Sequence, residues 1–177
     1  QMCIRDSSQG ARILSEVLPD ALVSLPEDIR KRLHVTQQAR DEDIDAVRET
    51  YDGSMIDVTL ASFINDIPEK LRDCHLVIAR SGASTVAELT AAGRPGFMVP
   101  LPHAIDDPQR FNAQQVEEAG GAWLLPQDRF TSELVSERLA KLLTNPAALT
   151  CAAKAAKSSG RANAAERLAD MVLDMLG

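Results

Sequence analysis

The chain has 177 residues and a net charge of −7; 45% of its residues are apolar, whereas only 3% are aromatic. This length suits one domain with an aliphatic core. The acidic balance excludes a nucleic-acid groove, which needs a basic face, and no apolar run approaches the ~20 residues of a membrane-spanning helix.

Extended and helical segments alternate along the chain. The predicted strands are LHVTQQA, MIDVTLASFI, HLVIA, GFMVPL and AWLLP. The predicted helices are a first one broken at Pro19, DEDIDAVRETY, a short one capped by Asp66 and Glu69, STVAELTAAG, DPQRFNAQQVEEAGG, TSELVSERLAKLL and two Ala-rich ones after residue 146. Continuous apolar strands between helices indicate a parallel sheet covered on both faces. We therefore predict an α/β, Rossmann-like domain with a helical C-terminal tail.

The first seven residues, QMCIRDS, do not fit this pattern. Ser8 lies in a strand-to-helix turn, yet residues 1–7 are too polar for a central strand of such a sheet. We interpret residues 1–7 as a non-native leader, and we place the domain at residues 8–145 and the helical tail at residues 146–177.

Ligands of open parallel sheets bind beyond the carboxyl ends of the strands, where helix N-termini offer free N–H groups. The turn at Ser8, Gln9 and Gly10 is one such place, and it fits either an ordinary serine N-cap or a ligand loop. The stretch RSGASTVAE, residues 80–88, is the second. Thr85 and Glu88 match a T-x-x-E capping box; alternatively, the amides of residues 83–85 bind a phosphate and Glu88 binds a sugar diol.

The third turn, HAIDDPQRFNAQ, spans residues 103–114. Asp107 before Pro108 predicts an N-cap. Gln109 and Asn112 face one way on the helix, either as readers of ligand hydroxyls or as solvated polar residues. Adjacent Asp106 and Asp107 do not converge on one ion without further ligands, so we predict no metal. The three cysteines are isolated, which is typical of a reducing compartment.

Three stretches, taken in their order along the chain, resemble the C-terminal half of the peptidoglycan glycosyltransferases of lipid II synthesis, over about residues 8–176. They are SSQGARIL, ASFINDIPEKL and HLVIARSGASTVAELTAAGRPGFMVPLPHAIDDPQRFNAQ. The resemblance implies the C-terminal lobe of a GT-B fold, which binds UDP-GlcNAc. It implies an inverting N-acetylglucosaminyltransferase, a hexosyltransferase that converts undecaprenyl-pyrophosphoryl-MurNAc-pentapeptide (lipid I) to lipid II without a cofactor or catalytic metal. The acceptor lobe, expected to carry the general base and the membrane patch, is missing. The whole enzyme is expected at the cytoplasmic face of the bacterial inner membrane.

The resemblance also implies roles for individual residues. It places Ser8, Gln9 and Gly10 near the donor diphosphate and sugar, Phe63 and Ile64 at uracil, Ser81, Gly82, Ala83, Ser84 and Thr85 at the diphosphate, Glu88 at the ribose, and Gln109 and Asn112 at GlcNAc. Asp6 and Ser7 stand where the family has two glycines, and His103 receives no catalytic role. The alternatives are a lobe of another UDP-sugar enzyme, such as a UDP-GlcNAc 2-epimerase, or a non-catalytic nucleotide-binding module.

Overall fold

Six parallel strands form one sheet in a computed structural model that describes residues 1–5, 12–102, 107–160 and 164–176. The strands are β1 (Met2–Arg5), β2 (His34–Gln38), β3 (Asp57–Ala61), β4 (Leu76–Ala79), β5 (Gly96–Met98) and β6 (Ala122–Leu124). Their spatial order is β3-β2-β1-β4-β5-β6, the order of a Rossmann-type sheet. The predicted α/β class and parallel sheet are confirmed.

The helices are α1 (Arg12–Val23), α2 (Glu27–Arg30), α3 (Ile44–Tyr51), α4 (Ile67–Asp73), α5 (Ala83–Ala92), α6 (Pro108–Glu118), α7 (Ser132–Leu143), α8 (Pro146–Ser159) and α9 (Ala164–Leu176). A single 3₁₀ turn, Gln127–Arg129, lies between β6 and α7. Helix α2 has no counterpart among the sequence predictions. In the described part of the chain, no helix is long and apolar enough to cross a bilayer.

Two apolar cores lie on opposite faces of the sheet, because successive side chains of a strand point to opposite sides. In β4, Leu76 and Ile78 join the core under α1, α3 and α7, whereas Val77 and Ala79 join the core under α4, α5 and α6. All four side chains are buried. This burial on both faces explains why the strand is a continuous apolar run.

The N-terminal residues contradict one sequence prediction. Met2, Cys3 and Ile4 are at most 2% exposed and form the central strand β1, between β2 and β4. The premise that residues 1–7 are too polar for a central strand is therefore wrong: three consecutive apolar residues suffice for so short a strand, and Arg5 lies at its end. The assignment of residues 1–7 as a non-native leader stays a prediction.

Two predicted helix signals also fail. Helix α1 continues through Pro19 instead of breaking there. Its buried residues Leu14, Leu18 and Leu22 hold it against the sheet, which offsets the roughly 3 kcal/mol that an interior proline costs a helix. Asp66 does precede α4, but its side chain makes no cap hydrogen bond.

Helix α8, in the predicted tail, packs closely on the sheet domain. A Cβ on Gly121 would lie 2.6 Å from the backbone of Ala156, so a side chain there would displace the helix. Lys157 Nζ donates a hydrogen bond to Ala91 O in the last turn of α5. The boundary at residue 145 stays a prediction, whereas the two predicted C-terminal helices, α8 and α9, are present.

One buried polar contact under α3 generates a test of stability. Tyr51 donates its hydroxyl to Gln37 Oε1 at 2.7 Å, and both side chains are buried. Burial raises the pKa of Tyr51 above its usual value of 10.0. We predict that Tyr51→Phe lowers the free energy of unfolding at neutral pH by about 1–3 kcal/mol, because Gln37 loses a buried partner.

The difference between the two proteins should shrink as the pH rises above 10.0. Above this pH the phenol ionises in the unfolded chain, while burial keeps it neutral in the folded protein. Ionisation therefore stabilises the unfolded state of the wild type, whereas the variant has no phenol to ionise. Urea unfolding at neutral and alkaline pH measures this. Tyr51 is the one tyrosine of the chain, and the cysteines are common to both proteins. A difference that stays constant with pH would contradict the prediction.

Candidate functional site

The strand order of the sheet reverses between β1 and β4, and we call the carboxyl edge of these two strands the crevice. These two strands are parallel neighbours, with Arg5 level with Ala79. The chain after β1 enters α1 on one face, and the chain after β4 enters α5 on the other. In open α/β sheets such a divergence of loops is where ligands bind. The turn at residues 80–82 forms one wall of the crevice.

The N-terminus of α5 lies at this wall without a side-chain cap. Gly82 is the N-cap residue, and no side chain accepts a hydrogen bond from the first turn. Helices α6, α7 and α8 are capped by Asp107, Thr131 and Asn145, whereas α2, α3 and α4 also lack a side-chain cap. The first amides of a helix have no acceptor within it, so those of residues 83–85 are available to an anion at the positive end of the helix dipole.

This geometry overturns the capping-box interpretation of Thr85 and Glu88. Because the helix begins at Ala83, Thr85 is its third residue and is buried, and Glu88 is its sixth. Glu88 lies too far along the helix to reach back to the N-cap amide. Its carboxylate instead forms an ion pair with Arg5 at the carboxyl end of β1. The pair spans the crevice, and the half-exposed carboxylate of Glu88 remains open to solvent.

Ser81 presents a buried hydroxyl at the same turn. The residue is fully buried, and its Oγ has no hydrogen-bond partner within the described part of the chain. An unsatisfied buried polar group costs about 1–3 kcal/mol. The carbonyl oxygen of Ser81 accepts a hydrogen bond from Asn112 Nδ2 at 3.1 Å. Asn112 therefore ties α6 to the turn before α5, although nothing in its sequence pattern indicated this contact.

Gln109 faces the loop that follows β5. Its Oε1 accepts a hydrogen bond from Leu101 N at 3.1 Å. The N-cap predicted at Asp107 is confirmed, since its side chain accepts from Arg110 N at 3.3 Å. One lone pair of the Gln109 oxygen is used by this bond, and the Nε2 group of the same side chain can donate to a ligand.

Phe63 and Ile64 lie at the same edge of the sheet, after β3. Ile64 is buried, whereas Phe63 is 69% exposed. Phe63 borders a groove of about 360 Å³ whose other walls are Gln38, Ala39, Arg40, Asp41, Glu42 and Ser62. The ring of Phe63 is therefore accessible to solvent beside this groove.

Some candidates lie outside the described residues: Ser8, Gln9, Gly10, His103 and Asp106. Within the described ranges, no three His, Cys, Asp or Glu side chains are close enough to hold a metal ion. Burial raises the pKa of Cys3 to about 12 and also raises the pKa of Cys74. Both thiols are therefore neutral near pH 7 and are poor nucleophiles.

Sequence reasoning missed Arg80 and Gln127. Arg80 follows the last residue of β4 and is only 4% exposed. Its guanidinium donates to Val99 O, Pro100 O and Gln127 Oε1. The available signal was a charged residue directly after a fully apolar strand, at the edge where ligands bind.

Comparison with known proteins gives a consistent result. Residues 7–168 match the family model described as the glycosyltransferase family 28 C-terminal domain. The chain is 53% identical over 176 residues to the UDP-N-acetylglucosamine–N-acetylmuramyl-(pentapeptide) pyrophosphoryl-undecaprenol N-acetylglucosamine transferase of Paramagnetospirillum magneticum, covering 99% of this chain and 47% of that protein. The chain thus spans about half the length of the curated relatives that it matches.

Solved structures agree with this assignment. The crystal structure of Acinetobacter baumannii MurG superposes with a TM-score of 0.88 at 30% identity, over 98% of this chain and 49% of that one. A putative UDP-N-acetylglucosamine 2-epimerase from Listeria monocytogenes superposes with a TM-score of 0.65 at 17% identity, over 99% of this chain and 45% of that one, which shows a shared fold alone. From the family match and the six-stranded sheet together, the chain belongs to the glycosyltransferase family 28 C-terminal domain family.

Proposed function

We propose that this chain is the donor-binding lobe of an inverting glycosyltransferase that moves GlcNAc from UDP-GlcNAc to the lipid-linked sugar lipid I, giving lipid II. The observation that carries the proposal is the uncapped N-terminus of α5 at the crevice between β1 and β4. Such a site binds a diphosphate through backbone amides and the helix dipole. An acidic chain can therefore bind an anionic nucleotide sugar without a basic patch.

The other candidate residues fit the remaining parts of UDP-GlcNAc. Glu88 would accept hydrogen bonds from both ribose hydroxyls, since one carboxylate has two oxygens. Phe63 and the backbone of Ile64 would contact uracil. Strands β3 and β4 are three strand spacings apart, about 14 Å. The nucleotide would therefore lie extended across the carboxyl ends of the sheet.

The sugar would lie against α6. Gln109 would donate from Nε2 to a GlcNAc hydroxyl, because its Oε1 is held by Leu101 N. Asn112 already donates to Ser81 O, so its contribution would be to fix the turn that binds the diphosphate. The hydroxyl of Ser81, which has no hydrogen-bond partner among the described residues, and the turn at Ser8, Gln9 and Gly10 would complete the diphosphate environment.

The chemical step would need the half of the protein that the relatives have in addition to this region. Inversion requires a base that removes the proton of the acceptor hydroxyl as it attacks the anomeric carbon. We assign this base, and the binding of the lipid-linked acceptor, to that other half. The 177-residue chain would accordingly bind UDP-GlcNAc without transferring the sugar. Because the acceptor named for the relatives is linked to undecaprenol, we place the whole enzyme peripherally at the cytoplasmic face of the bacterial inner membrane.

Ligand preference tests the proposal. Calorimetric titration of the chain should show UDP-GlcNAc and UDP binding at least roughly tenfold more tightly than ADP-ribose or NAD, a difference of about 1.4 kcal/mol. Uracil and adenine differ in size and hydrogen-bonding edge, so a site built for uracil rejects adenine. A preference for the adenine ligands would indicate another nucleotide-binding module and would overturn the proposal.

A second prediction concerns Glu88. Glu88→Gln should weaken UDP about tenfold, as expected for loss of hydrogen bonds to a charged acceptor, and should weaken 2′-deoxy-UDP clearly less. The deoxynucleotide lacks one of the two hydroxyls that the carboxylate would bind. Titration of both proteins with both nucleotides isolates the coupling between Glu88 and the 2′-hydroxyl.

The matched control is Glu118→Gln, an exposed change at the end of α6 that should alter neither affinity. If Glu88→Gln weakened UDP and 2′-deoxy-UDP by the same factor, Glu88 would act only through its ion pair with Arg5 and not on the ribose.

A further inference from the structure

Arg80 carries a charge in a part of the molecule that otherwise buries neutral groups. It is the only charged side chain among the buried residues of the described ranges. Removing a guanidinium from water is costly unless its donors are satisfied. We therefore expect the buried guanidinium to hold neighbouring hydrogen-bond acceptors in place, which an apolar side chain cannot do.

The guanidinium joins the carboxyl ends of three neighbouring strands. From its place after β4, Nη1 donates to Val99 O at 3.2 Å and to Pro100 O at 3.0 Å, just beyond β5. Nη2 donates to Gln127 Oε1 at 2.7 Å, in the 3₁₀ turn after β6. The planar fork of arginine can hold these acceptors at once, whereas the compact ammonium of lysine cannot.

These contacts connect the two parts of the proposed donor site. On one side, Arg80 directly precedes Ser81 and Gly82, the turn at the uncapped N-terminus of α5. On the other side, Pro100 precedes Leu101, whose amide donates to Gln109 Oε1. A continuous series of short contacts therefore runs from the diphosphate turn through Arg80 to the side chain proposed to read the sugar.

We propose that Arg80 is a positioning residue for the sugar moiety of the donor: it holds the loop after β5, and with it Gln109, at a fixed place relative to the N-terminus of α5. The inference rests on the proposed function. It assigns Arg80 no contact with the ligand. It predicts that loss of the Arg80 guanidinium makes the loop after β5 less rigid, while the amides that bind the diphosphate stay in place.

The test compares UDP-GlcNAc with UDP on variants of the same chain. Arg80→Lys should weaken UDP-GlcNAc about tenfold, because a displaced loop after β5 costs the hydrogen bond that Gln109 would give the sugar. It should weaken UDP by no more than about threefold, a difference below 0.7 kcal/mol, because UDP lacks the sugar. Gln127→Met, which removes one acceptor and leaves the guanidinium and its carbonyl contacts, should reduce the preference for UDP-GlcNAc in the same direction by a smaller factor.

The matched control is Arg129→Lys, an exposed arginine in the same 3₁₀ turn as Gln127, which should change neither affinity. Equal losses for UDP and UDP-GlcNAc would mean that Arg80 supports the turn that binds the diphosphate and not the loop after β5, and a lower melting temperature with unchanged affinities would mean that it only stabilises the fold. Either result overturns the inference. If Arg80→Lys does not fold, an unchanged preference in Gln127→Met overturns it.

A different result separates this inference from the function on which it rests. If the wild-type chain binds neither UDP nor UDP-GlcNAc, the proposed function and the inference both fail. If it binds both and the variants keep the wild-type preference for UDP-GlcNAc, only the role of Arg80 fails.

Discussion

Parallel pairing of β1 with β4 is the constraint on which the carboxyl edge of the sheet depends. Strand β1 lies between β2 and β4 in the sheet and is the first strand in the sequence. The chain therefore leaves β1 toward one face of the sheet and leaves β4 toward the other. Hydrogen bonds between these strands fix Arg5 level with Ala79 and so bring Glu88 on α5 within reach of Arg5. The crevice, its ion pair and the orientation of the α5 N-terminus all follow from this single adjacency.

Side-chain capping differs among the helices: α2, α3 and α4 have no hydrogen bond to an N-cap side chain. Helices α6, α7 and α8 begin with a side chain that accepts a backbone amide hydrogen, a contact worth about 1 kcal/mol. Helix α5 begins at Gly82 without one. A side-chain oxygen there would stabilise the empty protein and compete with an incoming anion for the same amides. The missing cap leaves this helix end less stable in the empty protein, and an anion that binds there would supply the missing acceptors.

The fold was largely predictable from the sequence, and the side-chain contacts of the site were not. Apolar runs such as LVIA signal strands buried on both faces, because burial dictates composition directly. Position within a helix is less well determined by local pattern. Thr85 and Glu88 have the spacing of a capping box, yet the helix begins three residues earlier than that motif requires. The role of Arg80 depends on its contacts with Val99, Pro100 and Gln127, which lie 19 to 47 residues further along the chain. A local sequence pattern does not predict contacts between residues so far apart.

Lys157, on α8, donates a hydrogen bond to Ala91 O at the C-terminal end of α5, 66 residues earlier in the chain. The helix that faces the crevice at its first turn is therefore held at its last turn by a helix that follows all six strands in the sequence. Contacts between residues so far apart form late in folding, since closing a long loop costs entropy before the contact is gained. The strands would therefore pair before α8 docks, and the first-turn amides of α5 would reach their final position only after that docking.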